Sequence, residues 1–571
     1  MVFMKGDLTR LIISALETQG VKGAKISLEY PENPERGDFS TSAALAYAKQ
    51  LKVPPKSLAE KIIAFLKDSG PEWMESVEIA GDGFINFKIK SAAIAKSVVQ
   101  ISEAGSLKES SATAPRKVIV EYTDPNTFKV FHIGHIMSNA IGESFSRLIE
   151  FTGSKVVRMC YPSDVGLHIA KSVWAVRKHL SEMPLESASV LEKTAFLGKM
   201  YVEGTNTYEE DPKAKSEIDA LNQVIYEKTD PEVVRIAETG RRWSLEHFDM
   251  LYKVLGTSFD ESIYESDMAP IGLKLVKANI GKVFVESEGA VVFKGEDHGL
   301  HTRVFINSKG LPTYEAKEIG LNMTKFEHHP DTDLSIIVTA NEQKDYFRVL
   351  AKVMTEMDPK NGPKLLYKGH GVMRFASGKM SSRKGNVITA DALISELKDM
   401  VLEKMKERDY PEAEAGEIAE IIAVAAIKYT VLRSSVGSDI IFDSVASISF
   451  EGDSGPYLQY STVRANSVLE KAKGISTVSG SPMRPQEVGL LERLLVRFPD
   501  IAARAAQEFS PQQVAGYLIN LAGAFNGFYA GTQIVDEKDP MTPYRIALTR
   551  AFYKTMSEGL WLLGIKVPQR M

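Results

Sequence analysis

One cysteine, Cys160, stands in 571 residues. No disulfide can form within the chain, and no cysteine-cluster zinc site can be built. Uninterrupted apolar stretches are missing as well: none approaches the ~18 residues of a spanning helix. The opening, Met1-Val-Phe-Met-Lys-Gly-Asp7, is too polar for a cleavable signal, so cytoplasmic residence is the expectation. No charge dominates, since 69 Lys and Arg face 74 Asp and Glu for a formal net charge of −5. That balance argues mildly against nucleic acid, and such a partner would have to be met by local basic patches. Ten histidines leave a His/carboxylate metal site formally open. Outside the motif described next, however, the close pair is His328-His329, which reads as a loop, and no protein-bound metal is expected. With 44% hydrophobic and 25% charged residues the composition is that of a folded, non-membrane protein. The length calls for roughly three or four domains.

The strongest local signal is Val118-Ile-Val-Glu-Tyr-Thr-Asp-Pro-Asn-Thr-Phe-Lys-Val-Phe-His-Ile-Gly-His135. Val118 to Val120 is a β-branched run that reads as a buried strand, and Pro125 and Asn126 break it. Past the histidines, Ile136, Ala140, Ile141, Phe145, Leu148 and Ile149 recur at helical spacing until Gly153. Lys155 to Met159 then reads as the next strand, with Cys160 at its end. His132 and His135 therefore lie where a strand hands over to a helix N-terminus. Backbone amides and the helix dipole favour an anion there, and open α/β sheets hold ligands at strand carboxyl ends. Gly134 removes the side chain that would keep a flat ring off the backbone. By itself His-X-Gly-His occurs by chance, and a helix-start histidine is more often a cap than a catalyst.

A second string changes the weight of the first. Lys379-Met-Ser-Ser-Arg-Lys-Gly-Asn386 is a basic, hydroxyl-rich stretch suited to triphosphate. With both strings in this order the chain resembles the class I aminoacyl-tRNA synthetases and their HIGH and KMSKS motifs. Glu121, then Pro125-Asn126, then Lys129 resembles the pattern of the arginyl enzymes ahead of HIGH. Gly455-Pro-Tyr-Leu-Gln-Tyr460 with Arg464 is similar to the opening of their anticodon-binding domain, and Gly559 to Met571 to their terminal helix and Pro-X-Arg-Met end. The resemblance covers nearly the whole chain, which is identified as a member of the arginyl-tRNA synthetase family. It implies an α/β class with a doubly wound parallel, Rossmann-like sheet, an N-terminal α+β domain and a C-terminal all-α domain.

Taken in order, residues 1–113 read as the first domain, the one the family uses to grip the tRNA elbow. Leu8 to Leu16 is amphipathic, Ser57 caps a helix through Leu66, and Gly81 to Ile89 alternates as a half-buried strand does. Residues 116–400 would be the catalytic domain, with an insertion at about 170–295 between the halves of the sheet. Nothing in that insertion calls for editing, since no standard rival amino acid presents a guanidinium. Residues 405–571 read as helical to the end, the anticodon-binding domain.

The resemblance implies a two-step reaction in which ATP, as its Mg2+ complex, activates L-arginine, and tRNA(Arg) then accepts the arginyl group. It implies His132, His135, Lys129 and Lys379 as catalytic, and Phe131, Gly134, Met380, Ser381, Ser382 and Arg383 as ATP-binding. Ser382 departs from KMSKS, whose fourth position is lysine, and Lys129 resembles the lysine that compensates. Arginine would be held by Glu121, Asn126, His132, Tyr314, Glu318 and Gln343, because a buried guanidinium requires carboxylates. Tyr314 and Glu318, four apart, share a helix face; the family usually has Asp at the second. Ser163, Val165 and His168 depart from the family pattern around Asp164 and Gly166, and their roles stay open. The tRNA would meet Tyr457, Gln459, Tyr460, Arg464, Phe525, Asn526 and Met571, although an aromatic helix core would account for each. A monomer is expected. Two rivals remain: a metabolite adenylyltransferase sharing the fold, and a synthetase-like RNA-binding protein with a decayed site.

Overall fold

The computed structural model describes residues 2–31, 33–108, 115–376, 388–406, 410–474 and 485–571. The expectations for Lys379, Met380, Ser381, Ser382 and Arg383 lie outside the described residues. At the centre is a five-stranded, all-parallel sheet of β1 (Lys117–Tyr122), β2 (Lys155–Cys160), β3 (Glu261–Ser262), β4 (Leu334–Ala340) and β5 (Leu365–His370). Its spatial order is β5-β4-β1-β2-β3, with Leu334 of β4 opposite Val118 of β1. The chain runs outward from β1 to β3 and then returns to the other side of β1. The order reverses between β1 and β4, and in open α/β sheets the carboxyl ends of strands at such a reversal are where ligands bind.

Eight helices carry the rest of the argument: α1 (Ile133–Phe151), α2 (Pro231–Leu255), α3 (Tyr314–His328), α4 (Ala390–Met405), α5 (Glu412–Leu432), α6 (Gly455–Lys471), α7 (Pro511–Gly531) and α8 (Thr542–Leu562). α1 is buried almost all round, because it lies between the sheet and the C-terminal helices. Phe145 packs on Phe509 at 5.5 Å and Phe151 on Phe498 at 5.7 Å. Burying each of these rings contributes about 2 kcal/mol, so the helix bearing the two histidines is anchored to the C-terminal region through its second half.

The N-terminal region is a three-stranded antiparallel sheet, ordered Phe39–Thr41, Phe84–Ile89, Met74–Ala80, under four helices. Ile85, Phe87 and Ile89 are buried, as their alternation predicts. The helix assigned to a Ser57 cap instead starts at Pro55 behind Pro54. Proline at the first helical position has no N–H to leave unpaired and a preset φ, so it outcompetes the serine. This region leans on the C-terminal helices through Asp38 paired with Arg493 and Tyr30 bonded to Asp500.

Three further expectations are corrected. The segment 170–295 contains β3, a strand of the central sheet, and Ala290–Phe293, which pairs with Arg303–Ile306 beyond it. The region after 405 contains one short strand, Ile440–Phe442, parallel to Met373–Phe375. Strands of two or three residues show no periodicity from which to read them. His328 ends α3 rather than lying in a loop, and its ring and that of His329 both bond Glu261 of β3, at 2.6 and 2.9 Å.

Candidate active site

The turn from β1 into α1 is held in a costly conformation. Thr123, Asp124 and Phe128 have φ of +83°, +41° and +65°, a region where non-glycine residues are strained by about 1–3 kcal/mol each. The surroundings fix it. Thr123 N–H donates to Ser138 Oγ (3.0 Å), and Asn139 Nδ2 donates to Thr123 Oγ1 (3.0 Å). Asp124 Oδ1 accepts from Tyr161 N–H (2.7 Å), and Phe128 N–H donates to Ser244 Oγ of α2 (2.9 Å).

His132 caps α1. Its Nδ1 accepts from Gly134 N–H (3.1 Å), while its own N–H donates to His135 Nδ1 (3.2 Å). The two rings stack at 3.8 Å. Gly134 does make room for a flat ring, and in the structure that ring is the imidazole of His132: a Cβ at 134 would stand 2.9 Å from its Cε1. Burial, with the charge of Lys129, pushes the His132 imidazole down to about 4. Burial and then His132 hold His135 well below its ordinary value. Both rings are therefore neutral at pH 7, and with each Nδ1 accepting, each Nε2 carries the proton. Two N–H donors thus result from the helix cap itself. Lys129 lies over the Tyr201 ring at 4.9 Å and has no carboxylate partner among the described residues.

Beside this turn is a cavity of about 250 Å³, lined by Asp124, Asn126, Tyr161, His168, Glu265, Tyr314 and Lys317, among others. Asn126 and Tyr314, two of the residues expected to hold arginine, are on its wall. Glu121 and Glu318 are buried but do not line the cavity; Glu121 is paired with Lys325, which is 0% exposed. Glu265 is paired with Lys317. Burial, reinforced by Glu121, raises Glu318 to about 8 and Asp124 well above the usual carboxylate range. Two carboxylates on the cavity wall and two buried behind it thus have two lysines paired to them among the described residues. His168, pushed down to about 3 by burial, is a neutral wall. Ser163 O accepts from Thr127 N–H at 2.9 Å, and Asp164 accepts from Arg241 Nε at 2.7 Å and Ser266 N–H at 2.8 Å. These two residues tie the end of β2 to its neighbours.

Some expected contacts are corrected. Phe131 is 0% exposed against Phe248 and Tyr252, so its ring is closed to ATP. Gln343 is exposed on the turn after β4 and does not line the cavity. Phe525 is 0% exposed, stacked on Phe552 at 3.8 Å, and Gln459 is equally buried, with Nε2 donating to Lys566 O at 2.6 Å. Both belong to the helical core, because their faces of α6 and α7 point at α8. Arg464, by contrast, lies between Tyr460 (4.6 Å) and the exposed Tyr529 (4.9 Å) and donates to Asn526 Oδ1 at 2.7 Å. Asn526 in turn donates to Tyr457 Oη at 3.0 Å. Met571 packs on the apolar core, and Arg570 pairs with Glu414. Asp124, Glu265 and Lys317 were missed. Asp124 lies inside the motif stretch, but nothing local marks the other two as buried.

Known proteins resemble this chain along its whole length. Residues 97–444 match the family model for tRNA synthetases class I (R), catalytic domain; 6–89 match the arginyl tRNA synthetase N terminal domain, and 458–571 the DALR anticodon binding domain. The chain is 30% identical to an arginine–tRNA ligase of Phocaeicola vulgatus, across 99% of each chain. It is 28% identical to one from Borreliella afzelii, across 100% of this chain and 99% of the other. The fold is that of the arginyl-tRNA synthetases of Thermus thermophilus (TM-score 0.78, 22% identity, 99% of both chains) and Plasmodium falciparum (0.80, 19%, 100% and 99%). With a class I sheet, a histidine-capped α1 and family matches along its length, the chain belongs to the arginyl-tRNA synthetase family of class I.

Proposed function

We propose that this chain joins arginine to tRNA in two steps at the crevice between β1 and β4. The arginine carboxylate attacks the α-phosphorus of ATP, supplied as its Mg2+ complex, and pyrophosphate leaves. A hydroxyl at the tRNA 3′ end then attacks the arginyl carbonyl, and AMP leaves. Such chemistry needs positioning and charge stabilisation rather than a protein nucleophile. The Nε2–H groups of His132 and His135, at a helix N-terminus beside the unpaired charge of Lys129, suit the phosphates.

The observation that carries the amino-acid assignment is the carboxylate excess. Glu121 and Glu265 are paired with Lys325 and Lys317, whereas Asp124 and Glu318 have no ion-pair partner among the described residues, and burial raises Glu318 to about 8 and Asp124 well above the usual carboxylate range. A guanidinium entering beside Tyr314 and Asn126 would favour the ionised form of both carboxyls, with Asp124 on the cavity wall accepting from the forked cation directly and Glu318 answering its charge from behind that wall. The tRNA would reach the C-terminal helices at Tyr457, Tyr460, Arg464 and Asn526, where a cation between aromatic rings suits unstacked bases. The working division is 1–113 for the tRNA elbow, 116–400 for catalysis and 405–571 for the anticodon.

Pyrophosphate exchange and charging, each run with arginine and with lysine, with and without tRNA, test this reading. Arginine alone should support both activities. Charging with lysine at a comparable rate, or no exchange under any condition, would overturn it.

A further inference from the structure

One face of α2 repeats at helical spacing: Gly240, Ser244, His247, Phe248, Leu251 and Tyr252. Four of these touch the motif turn, Tyr252 through the Phe131 ring. Gly240 leaves the hollow that the Phe128 ring fills, and any Cβ there would overlap that ring. Ser244 Oγ accepts the Phe128 N–H, and Phe248 backs Phe131 at 5.9 Å. On this largely buried face His247 is buried too, with its ring Nε2 donating to both oxygens of Asp391, at 3.0 and 3.1 Å. A polar ring costs free energy in such a stripe unless it is bonded, and Asp391 is its side-chain partner among the described residues.

Asp391 stands in the first turn of α4, five residues after Asn386 closes the lysine- and serine-rich string. Between them the chain is joined directly to the histidine motif. Ile133 N–H donates to Ile388 O (3.3 Å), Ala390 N–H donates to Phe131 O (2.8 Å), and His132 bridges Thr389. The exit of one motif is thus laid against the other by two backbone bonds, and one helix grips both sides of that seam. We infer that His247 and Asp391 are positioning residues which, through Ile388 to Ala390, set His132 and His135 at the start of α1, so that their pairing determines how well ATP is held. This rests on His132 and His135 holding the phosphates of ATP, as proposed above.

The test is pyrophosphate exchange by the full chain, with KM for ATP and for arginine measured separately beside the thermal midpoint. Asp391→Ala should raise KM for ATP about tenfold, the scale of one lost charge-assisted hydrogen bond, and leave KM for arginine within about twofold. Asp391→Asn, whose amide oxygen still accepts from His247, should recover most of that loss. Asp391 is partly exposed, so these variants should fold. His247→Gln combined with Asp391→Ala should be no worse than Asp391→Ala alone, as expected for two groups acting through one contact. An unchanged KM for ATP, or both KM values rising in step with a fall in the midpoint, would overturn the inference, leaving the pair a structural strut. Exchange that is intact in the unsubstituted chain and unmoved in Asp391→Ala removes this inference alone. No exchange in the unsubstituted chain removes the parent reading with it.

Discussion

At the N-terminal end of α1, Asp124 and Glu265 line the cleft and Glu121 and Glu318 lie buried behind it, with Lys317 and Lys325 as the lysines paired to this group among the described residues. Along the same helix and behind it, Glu143 and Glu150 meet Arg147, Arg158 and Lys428. The back cluster is paired off. Glu143 takes Arg147 Nε at 2.7 Å, Arg158 Nε at 3.2 Å and the Tyr122 hydroxyl at 2.6 Å, while Arg158 also clamps Glu150 at 2.6 Å. Burial alone would push the Glu143 carboxyl up, but Arg147 and Arg158 more than reverse it and leave it below its ordinary value. The spare cation, Lys428, donates to the carbonyls of Leu255 (2.5 Å) and Gly564 (2.8 Å), while Arg147 holds those of Trp561 and Gly256. These bonds join α1, the end of α2 and the C-terminal turn. A network whose charges are all answered from within fixes domains in place. One left short of cations is built to receive one.

The largest effect should come from unbalancing the back. Glu143→Gln leaves two buried guanidinium groups without their shared partner, which costs about 3–5 kcal/mol. Chemical denaturation should show that loss, while the molecules that remain folded keep their KM for arginine. A fall in arginine affinity without a fall in stability would erase the distinction between the clusters. Next in size, Lys129→Ala should slow exchange by about a hundredfold, as a lost transition-state contact does, with arginine binding nearly intact. If KM for arginine alone moved, Lys129 would belong to the amino-acid cavity.

The clusters also predict pH dependences of opposite sign. Glu318, at about 8 in the folded chain against an ordinary 4.5, keeps a proton that the unfolded chain has released between those values. Its contribution is complete below pH 4.5 and is lost as pH rises through 8. Lys428, at about 7 against an ordinary 10.5, has instead released a proton that the unfolded chain still holds, so stability rises with pH from 7 to 10.5. Denaturation across pH should show Glu318→Gln flattening the first limb and Lys428→Met the second. Arginine binding at pH 7 should also release a proton, readable by calorimetry in buffers of different ionisation enthalpy; proton uptake would mean that Glu318 does not answer the ligand. The smallest change expected is from deleting Pro568 to Met571. Its exposed Arg570–Glu414 pair and half-buried Met571 should cost only a few degrees of midpoint. A raised KM for tRNA with an unchanged midpoint would give this tail a part in recognition.

The sequence by itself determined whatever repeats locally. The β-branched run of β1, the turn at Pro125-Asn126 and the helical spacing through Ile149 placed His132 and His135 at a helix start, and four-residue spacing put Tyr314 and Glu318 on one face. The order of the two motifs supplied the family. Only the tertiary structure decided which charges are answered and which rings are buried, since the partners come from distant parts of the chain: Lys325 for Glu121, Lys317 for Glu265, Asp391 for His247 and Phe552 for Phe525. Local periodicity follows from the backbone's own repeat. The electrostatic state of a side chain depends on what the fold brings within a few ångströms of it, and no spacing along the chain encodes that distance.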